Sequence, residues 1–378
     1  MKLMAKIGAI CLAGAGALGL TGTPVVAQPT RSVYLVTFDG AGAAGVDVLA
    51  ESVADRFGTE VRHTYRTAVH GMSLRLTAAQ AKELAADPAV AAVAPDAPVH
   101  ALGEQLNPPS WGLDRIDQRT GLDNRYWYAN EAEGVTAYVL DTGIDASHPD
   151  LAGRIGPGYD SVDGDTDPVD GNGHGTFISG IIGGTEYGVA KKITIVPVRV
   201  LDDNGSGTTE GVVTGIDWVA QHASGPSVAN MSLGGGADEV LDDAVRGAIA
   251  AGVPFAVAAG GSASDAANFS PARVTEALTI GASGMDDCVS SFSNFGAVVD
   301  MFAPGESITG PWPGGGTQTL SGSSVSAPHV AGAVGIYLYD HPTATPAEVS
   351  AALVEASTKD ALCGVPSGTP NALLYTGP

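Results

Sequence analysis

The segment Ala137-Tyr-Val-Leu-Asp141-Thr-Gly-Ile-Asp145 decides the fold class of this chain. An apolar run ends at an acid and is followed by a Gly-containing turn, which is typical of a strand buried on both faces of a sheet. Such strands belong almost only to parallel sheets, where functional groups collect beyond the carboxyl ends of the strands. We therefore expect a parallel sheet that carries Asp141 at its carboxyl edge.

Similar apolar runs recur along the chain and alternate with helical patterns. The runs cover residues 136–140, 193–200, 228–233, 254–259 and 277–282, and the helical patterns cover 209–222, 238–251, 324–339 and 345–356. The last pattern begins Thr345-Pro-Ala-Glu348, which combines a cap, Pro in the first turn and Glu three residues after the cap. Near-continuous apolar strands separated by helices predict an α/β domain with a mainly parallel sheet covered by helices on both faces.

Residues 31–100 follow a different pattern, which predicts a small α+β unit. Residues 34–38 alternate like a strand, 46–57 have helical spacing, 61–76 have the pattern of paired strands, and 90–94 form a last strand. Thr77 and Gln80 have the spacing of a capping box at the start of a second helix. Between about residues 101 and 109 no pattern is left, so we expect a linker there.

The first 27 residues are typical of a secretory signal peptide. Lys2 and Lys6 precede an apolar stretch over residues 7–20, and Val25-Val-Ala27 offers small residues for cleavage. A membrane anchor is the alternative, but a spanning helix needs about 20 apolar residues and this stretch is shorter. We therefore expect a secreted, extracellular protein that begins near Gln28.

The net charge is strongly negative and unevenly spread. The chain has 18 Lys and Arg against 41 Asp and Glu, a formal net charge of −23, and 44% hydrophobic residues, which is normal for a folded chain. Residues 1–104 hold eight basic and nine acidic residues, so residues 105–378 hold nearly all the excess acid. A negative field repels phosphate, so neither nucleic acid nor an anionic membrane is an expected partner.

Beyond a signal peptide over 1–27, the charge step near residue 104 suggests two pieces with different roles, residues 28–104 and residues 105–378. Cys288 and Cys363 are the cysteines beyond the signal segment. An exported protein can form disulfides, but the sequence leaves open whether these two cysteines pair.

Three short segments carry side chains suited to nucleophilic catalysis. Asp141 ends a strand, His174 lies in Gly171-Asn-Gly-His174-Gly-Thr-Phe177, and Ser324 opens a helix in Ser324-Val-Ser-Ala-Pro328. Each residue alone is more often a cap or a turn residue. Together they supply a nucleophile, a base that takes its proton, and a carboxylate that orients the base.

These motifs, in the order Asp, His, Ser, resemble those of the subtilases, the subtilisin-like serine proteases, in particular the proteinase K and aqualysin branch. The similarity covers about residues 111–375, and residues 31–100 resemble the inhibitor-type propeptide of that family. The resemblance therefore implies a propeptide over 28–104 and a catalytic domain over 105–378. The resemblance implies that Ser324 is the nucleophile, His174 the general base and acid, and Asp141 the orienting acid. It implies a secreted serine endopeptidase, expected as a monomer, whose partners are protein or peptide substrates and its own propeptide as an intramolecular inhibitor.

The resemblance also implies the walls of a peptide-binding cleft. Two segments would flank an extended peptide by strand-like pairing, and a third would line the pocket for the residue before the cut. The residues are Gly205, Ser206 and Gly207, then Ser232, Leu233 and Gly234, then Ala258, Ala259 and Gly260. The walls contain no acid, so we expect no strict preference for Lys or Arg in that pocket.

One departure from the family concerns the oxyanion hole. The family has an Asn after the segment that ends at Gly260, and its amide donates to the oxyanion, whereas this chain has Gly261. We therefore expect a weakened protease, with Ser262 or a water molecule as the alternative donor. The rival hypothesis is a catalytically crippled pseudoprotease that binds peptides, and another acyl-transfer enzyme on the same triad is a further alternative that no residue favours.

Some of the acid has the pattern of calcium ligands, because Ca²⁺ prefers oxygen donors. The resemblance implies one site from Asp114, Asp117, Gln118 and Asp123, and a second from Asp300 with the backbone carbonyls of Thr275 and Ala277. A denser run of five Asp between residues 160 and 170 is interpreted as a solvated acidic loop, with a further metal site as the alternative. The only cofactor expected is structural Ca²⁺.

Overall fold

The computed structural model describes residues 30–40, 42–96 and 103–377, and it divides the chain into two units, residues 1–98 and 99–378. The predicted signal peptide and its cleavage site after Ala27 lie outside the described residues. Within the described ranges, no helix is long and apolar enough to cross a bilayer.

The first unit is an antiparallel sheet packed with two helices, as the sequence predicts. Its elements are β1 (Ser32–Phe38), α1 (Ala43–Phe57), β2 (Val61–Tyr65), β3 (Gly71–Leu76), α2 (Ala78–Leu84) and β4 (Val90–Pro95). The strand order is β2-β3-β1-β4, and Val46, Phe57 and Leu74 lie in the core between helices and sheet. Both hydrogen bonds of the capping box between Thr77 and Gln80 are formed, so α2 begins where the sequence predicts.

The second unit contains a nine-stranded sheet and most of the helices. Its strands are β5 (Gly103–Leu106), β6 (Arg125–Tyr128), β7 (Thr136–Asp141), β8 (Tyr159–Asp160), β9 (Thr194–Arg199), β10 (Ser227–Met231), β11 (Gly235–Gly236), β12 (Phe255–Ala258), β13 (Phe269–Ser270), β14 (Leu278–Ser283), β15 (Met301–Pro304), β16 (Ile308–Trp312), β17 (Gly316–Leu320), β18 (Thr358–Lys359) and β19 (Ala372–Leu373). Its helices are α3 (Trp111–Ile116), α4 (His174–Gly183), α5 (Thr209–His222), α6 (Glu239–Ala250), α7 (Ser323–Asp340) and α8 (Pro346–Ala356).

The large sheet has the order β18-β19-β15-β14-β12-β10-β7-β9-β8, and all its pairs are parallel except β18 with β19. Strand β7 is buried on both faces. Ala137 and Val139 pack into the core formed with α4, α7 and α8, whereas Tyr138 and Leu140 pack into the core formed with α5 and α6. This explains the run without polar alternation, and the predicted fold class is confirmed.

The structure adds elements that the apolar pattern does not indicate. Among them are the helix α4, the strand β15 and the hairpin β16–β17. The predicted linker is wrong over residues 103–106, which form β5 and pair with β6. This strand reads Gly-Glu-Gln-Leu and has no apolar alternation; its stability comes from backbone pairing and from Gln105, whose Oε1 accepts a hydrogen bond from Lys191 Nζ at 2.6 Å.

Cys288 and Cys363 form a disulfide, which answers the question that the sequence left open. The two cysteines are 75 residues apart in sequence. Backbone hydrogen bonds from Cys363 to Asp287 and from Val289 to Cys363 lie beside the bridge. The disulfide therefore fastens the C-terminal segment to the loop that follows β14.

We expect the double replacement Cys288→Ser and Cys363→Ser to lower the free energy of unfolding by about 4 kcal/mol, because a loop of this length restricts the unfolded chain. Denaturant unfolding of the oxidised protein and of the variant measures the difference. As a control, a reductant should shift the parent protein to the value of the variant and leave the variant unchanged. Equal unfolding midpoints for the parent and the variant would contradict the prediction.

Candidate active site

The structure brings Asp141 and His174 into direct contact. Asp141 is the last residue of β7 and is fully buried, and His174 is the first residue of α4. His174 Nδ1 lies 2.7 Å from Asp141 Oδ1, which also accepts a hydrogen bond from the Thr142 N–H at 2.8 Å. A proton held on Nδ1 by the carboxylate leaves Nε2 as an acceptor, which is the state that a general base requires.

The surroundings of the His174 imidazole stabilise its charged form more than water does. Burial lowers the pKa of the imidazole, but the Asp141 carboxylate raises it and Asp170 adds to the rise, so the pKa lies above its ordinary value. The side chain is 24% exposed. A base that can take up a proton therefore faces the cleft, with its counter-charge buried behind it.

Ser324 lies in the first turn of α7, an 18-residue helix. The backbone oxygen of Ser324 accepts a hydrogen bond from Ser232 Oγ at 2.6 Å, which fixes the turn against the segment after β10. Helix N-termini present free N–H groups and a positive partial charge. The position therefore suits a nucleophile whose substrate develops negative charge.

Two adjoining cavities form the cleft, and they share the wall formed by residues 232–236. The first, about 770 Å³, is lined by His174 and by the predicted segments at Gly205, Ser206, Gly207, Ser232, Leu233 and Gly234. The second, about 400 Å³, is lined by Ser324 and by the predicted residues Ala258, Ala259, Gly260 and Gly261. The structure thus places all the substrate-binding residues expected from the sequence along this cleft.

Gly261 borders open space in the second cavity. A Cβ built on Gly261 would have Phe292 Cδ2, at 3.9 Å, as its nearest neighbour. At Gly260, by contrast, φ is +105° and a Cβ would come within 2.3 Å of Asn294 Nδ2. Position 261 therefore has room for a larger side chain, and position 260 does not.

Asn294 is a residue that sequence reasoning missed. It is fully buried, its Nδ2 donates to the Ala259 carbonyl at 2.8 Å, and its Oδ1 accepts from the Ser262 and Ser264 N–H groups. It therefore holds the loop around Gly261. In the sequence, Asn294 lies in the segment Ser290-Ser-Phe-Ser-Asn294-Phe-Gly296, which mixes polar and aromatic residues and does not indicate this contact.

The sequence predicts a solvated loop for the acid-rich run between residues 160 and 170, and the structure shows that this prediction is wrong for part of the run. Asp160 is 1% exposed and pairs with Arg199 at 2.7 Å, and Arg199 also contacts Asp163 and Asp203. Asp170 is 7% exposed and lies beside the turn that precedes His174. Two of the five acids are therefore buried in the fold, and a third, Asp163, joins the ion pairs of Arg199 at the surface.

The first predicted calcium site is only partly assembled. Both oxygens of Asp114 accept N–H hydrogen bonds, from Asp123 and Asn124, and Gln118 Nε2 donates to the same carboxylate. Asp117 Oδ1 is buried without a hydrogen-bond partner in the described residues. Burial raises the pKa of Asp117 to about 6, and nearby carboxylates add to the rise. The orphaned oxygen of Asp117 therefore fits a cation better than the other three side chains do.

The second predicted site lies where two neighbouring strands begin. Asp300 precedes β15, and Thr275 and Ala277 precede β14. Asp300 Oδ2 accepts from the Thr279 N–H at 2.7 Å, and burial raises the pKa of this carboxyl to about 6. One carboxylate with backbone carbonyls is an oxygen-only donor set, which fits Ca²⁺. Within the described residues, no group of three or more His, Cys, Asp or Glu side chains is arranged to hold a metal ion.

Comparisons with known proteins agree with this geometry. Residues 132–372 match the subtilase family, and residues 33–102 match the peptidase inhibitor I9 family. The chain is 49% identical over 322 residues to an extracellular serine proteinase of Thermus sp. (strain Rt41A), which covers 84% of this chain and 78% of the relative. It is 45% identical over 326 residues to alkaline serine exoprotease A of Vibrio alginolyticus, which covers 85% of this chain and 61% of the relative.

A solved structure shows the same fold. The crystal structure of a cold-adapted subtilisin-like serine proteinase aligns with a TM-score of 0.69 at 52% sequence identity. The alignment covers 70% of this chain and 97% of that chain.

Proposed function

The chain belongs to the subtilase family of serine endopeptidases, and we propose that it cleaves peptide bonds through an acyl-enzyme on Ser324 at a rate that Gly261 lowers. The observation that carries the proposal is the 2.7 Å contact between His174 Nδ1 and buried Asp141, at a cleft that Ser324 also lines. This arrangement supplies a base whose free nitrogen faces the cleft.

The proposed reaction has two halves. Ser324 Oγ attacks the peptide carbonyl while His174 Nε2 takes the hydroxyl proton, and the imidazolium then protonates the leaving amine. Water, activated by the same imidazole, attacks the ester and releases the second product. Asp141 holds the imidazole in the required tautomer and stabilises its cation throughout.

The substrate would be an extended peptide, because backbone-rich segments flank the cleft on both sides. Residues 205–207 and 232–234 offer N–H and C=O groups for strand-like pairing, which recognises backbone more than side chain. The oxyanion would be stabilised by backbone N–H groups at the start of α7. Gly261 supplies no side-chain amide for this purpose, which is the physical reason to expect slow turnover.

Self-processing gives the direct test of the triad. We expect the purified precursor to cut itself between about residues 100 and 107 and then to hydrolyse casein. Ser324→Ala should abolish both activities, because the nucleophile is lost. Gel analysis, mass spectrometry of the new N-terminus and a fluorescent casein assay with a serine-directed inhibitor measure the result.

The same assay distinguishes the alternative function. A precursor that stays uncut and behaves identically with Ser324→Ala would overturn the protease proposal. If the uncut precursor nevertheless bound peptides, the pseudoprotease hypothesis, which the missing side-chain donor at Gly261 favours, would replace the protease proposal.

If Gly261 leaves the oxyanion without a side-chain donor, Gly261→Asn should raise kcat at least tenfold. Loss of one such donor from a subtilisin lowers kcat by about 10²–10³, and position 261 has room for the side chain. Steady-state kinetics on a peptide substrate measure the change. Gly247→Asn is a matched control, since Gly247 is exposed on α6 and has open space around it. An unchanged kcat in Gly261→Asn would show that another donor already serves the oxyanion.

We further propose export followed by removal of the propeptide, whose end the sequence predicts near residue 104. The relatives from Thermus and Vibrio are named as an extracellular proteinase and an exoprotease. The match of residues 33–102 to an inhibitor family supports an inhibitory role before processing. We expect the processed enzyme to be a monomer.

We also propose that structural calcium stabilises the enzyme at Asp117 and at Asp300. Bound Ca²⁺ would supply the positive charge that these buried carboxyls lack, and it has no part in the proton transfers. We expect a chelator to lower the melting temperature, because a ligand at about 100 times its Kd contributes about 2.7 kcal/mol.

Thermal melts and calorimetry test this, with Ser324→Ala as the parent so that self-digestion does not interfere. Asp117→Asn and Asp300→Asn should each reduce the shift caused by the chelator, whereas Asp243→Asn, which changes an exposed acid on α6, should leave it unchanged. Identical melting with and without chelator would contradict the calcium proposal.

A further inference from the structure

Asp170 is a buried carboxylate that lies between two turns of the active site. Its Oδ1 accepts hydrogen bonds from Thr142 Oγ1 at 2.8 Å, from the Asn172 N–H at 3.0 Å and from the Gly173 N–H at 2.7 Å. Its Oδ2 accepts from the Thr176 N–H at 2.9 Å and from Thr176 Oγ1 at 2.6 Å. All five bonds join the carboxylate to residues within two positions of Asp141 or His174 in the chain.

Three of these bonds involve the start of α4. The helix begins at His174, and its N-cap residue, Gly173, has no side chain to accept a hydrogen bond. The first N–H groups of a helix need acceptors from outside the helix, and an anion there is stabilised by the helix dipole. Asp170 takes the place of the missing cap, so the orientation of the first helical residue depends on it.

A further bond continues to the turn after β7. Thr142 Oγ1 donates to Asp170 and accepts from the Gly175 N–H at 2.8 Å. The backbones of the two turns meet at Gly143 and Gly175, where a Cβ on Gly175 would lie 2.2 Å from the Gly143 oxygen. The carboxylate and the hydroxyl therefore form a polar link between the turn of the acid and the turn of the base, beside the hydrogen bond from the Asp145 N–H to Thr176 Oγ1 at 2.8 Å.

The carboxylate also acts through its charge. Burial raises the pKa of Asp170, but the hydrogen bonds from Thr176, Gly173 and Thr142 outweigh burial, so its pKa lies below the ordinary value. It is therefore ionised at neutral pH. The charged groups that act on the imidazole are Asp141 from β7 and Asp170 from the loop before α4.

We infer that Asp170 is a positioning residue for catalysis, which holds the His174 turn against the Asp141 turn and keeps the imidazole aimed at the cleft. The inference rests on the proposed function, because it concerns the same proton transfers. Asp170 belongs neither to the triad motifs nor to the predicted peptide-binding segments.

The role predicts an effect on kcat rather than on KM. The predicted peptide-binding segments, residues 205–207 and 232–234, are held by hydrogen bonds that do not involve Asp170. For example, Asp202 Oδ1 accepts from the Ser206 N–H at 2.9 Å. A misplaced general base, by contrast, slows every proton transfer, and a displacement of about 1 Å can cost about 10² in rate.

The test uses Asp170→Ala and Asp170→Asn, with Asp167→Asn as the matched control. Asp167 is an exposed acid three residues earlier in the same loop, so its replacement removes the same charge without touching the turn. Precursors are processed by added parent enzyme, and an acyl-enzyme titration counts active sites. We expect kcat per active site to fall about 10–100-fold in Asp170→Ala and less in Asp170→Asn, with KM within about twofold of the parent.

The pH profile separates positioning from general damage to the fold. Loss of the Asp170 charge removes an influence that raises the His174 pKa, so the acidic limb of kcat/KM should move to lower pH in Asp170→Asn. Asp167→Asn should show a much smaller shift. An unchanged kcat and an unchanged limb in Asp170→Asn would overturn the inference, and so would a fall in kcat without a shift of the limb.

Variants of Thr142 provide a second test of the inference in case the Asp170 variants fold poorly. Thr142→Val breaks the link from the other turn and should lower kcat, whereas Thr142→Ser keeps the hydroxyl and should restore most of it. Equal activities of the Val and Ser variants would contradict the link. Inactivity of the parent enzyme itself would reject the proposed function and would be recognised before any variant is compared.

Discussion

The burial of β7 on both faces is the constraint on which the rest of the second unit depends. Because cores lie on either side of this strand, neighbouring strands must run parallel to it and helices must return the chain over both faces. Its last residue, Asp141, therefore emerges at a fixed point of the carboxyl edge. The base and the nucleophile then enter at the start of two helices, α4 and α7, that pack into one of those cores.

Sequence reasoning succeeded where the chemistry is local. The strand that ends at Asp141, the helix α7 and the helices α5 and α8 each carry their own pattern. The Gly-rich segment around His174 was expected as a turn, and it forms the start of α4. Sequence reasoning wrongly assigned β5 to a linker, because its four residues have no apolar alternation. The strand is held instead by backbone pairing with β6 and by the side-chain amide of Gln105.

The contributions that the sequence did not reveal act through space. Asp170 is one of five acids in a short run, and composition cannot tell which of them is buried. Its role depends on the close approach of two turns that contain Gly143 and Gly175. Asn294 likewise supports the loop at Gly261 from a segment more than thirty positions away in the chain. Both residues shape the site without belonging to any motif.

The strand β5 restricts where the precursor can be cut. All four of its residues pair with β6, from Gly103 with Tyr128 to Leu106 with Arg125. A cut after residue 104 would divide the strand, while a cut before Gly103 would leave it whole and keep Gln105 as the acceptor for the buried Lys191 ammonium. An intact strand would also keep the new chain end hydrogen-bonded to β6, and a chain end fixed in this way is a poor substrate for aminopeptidases.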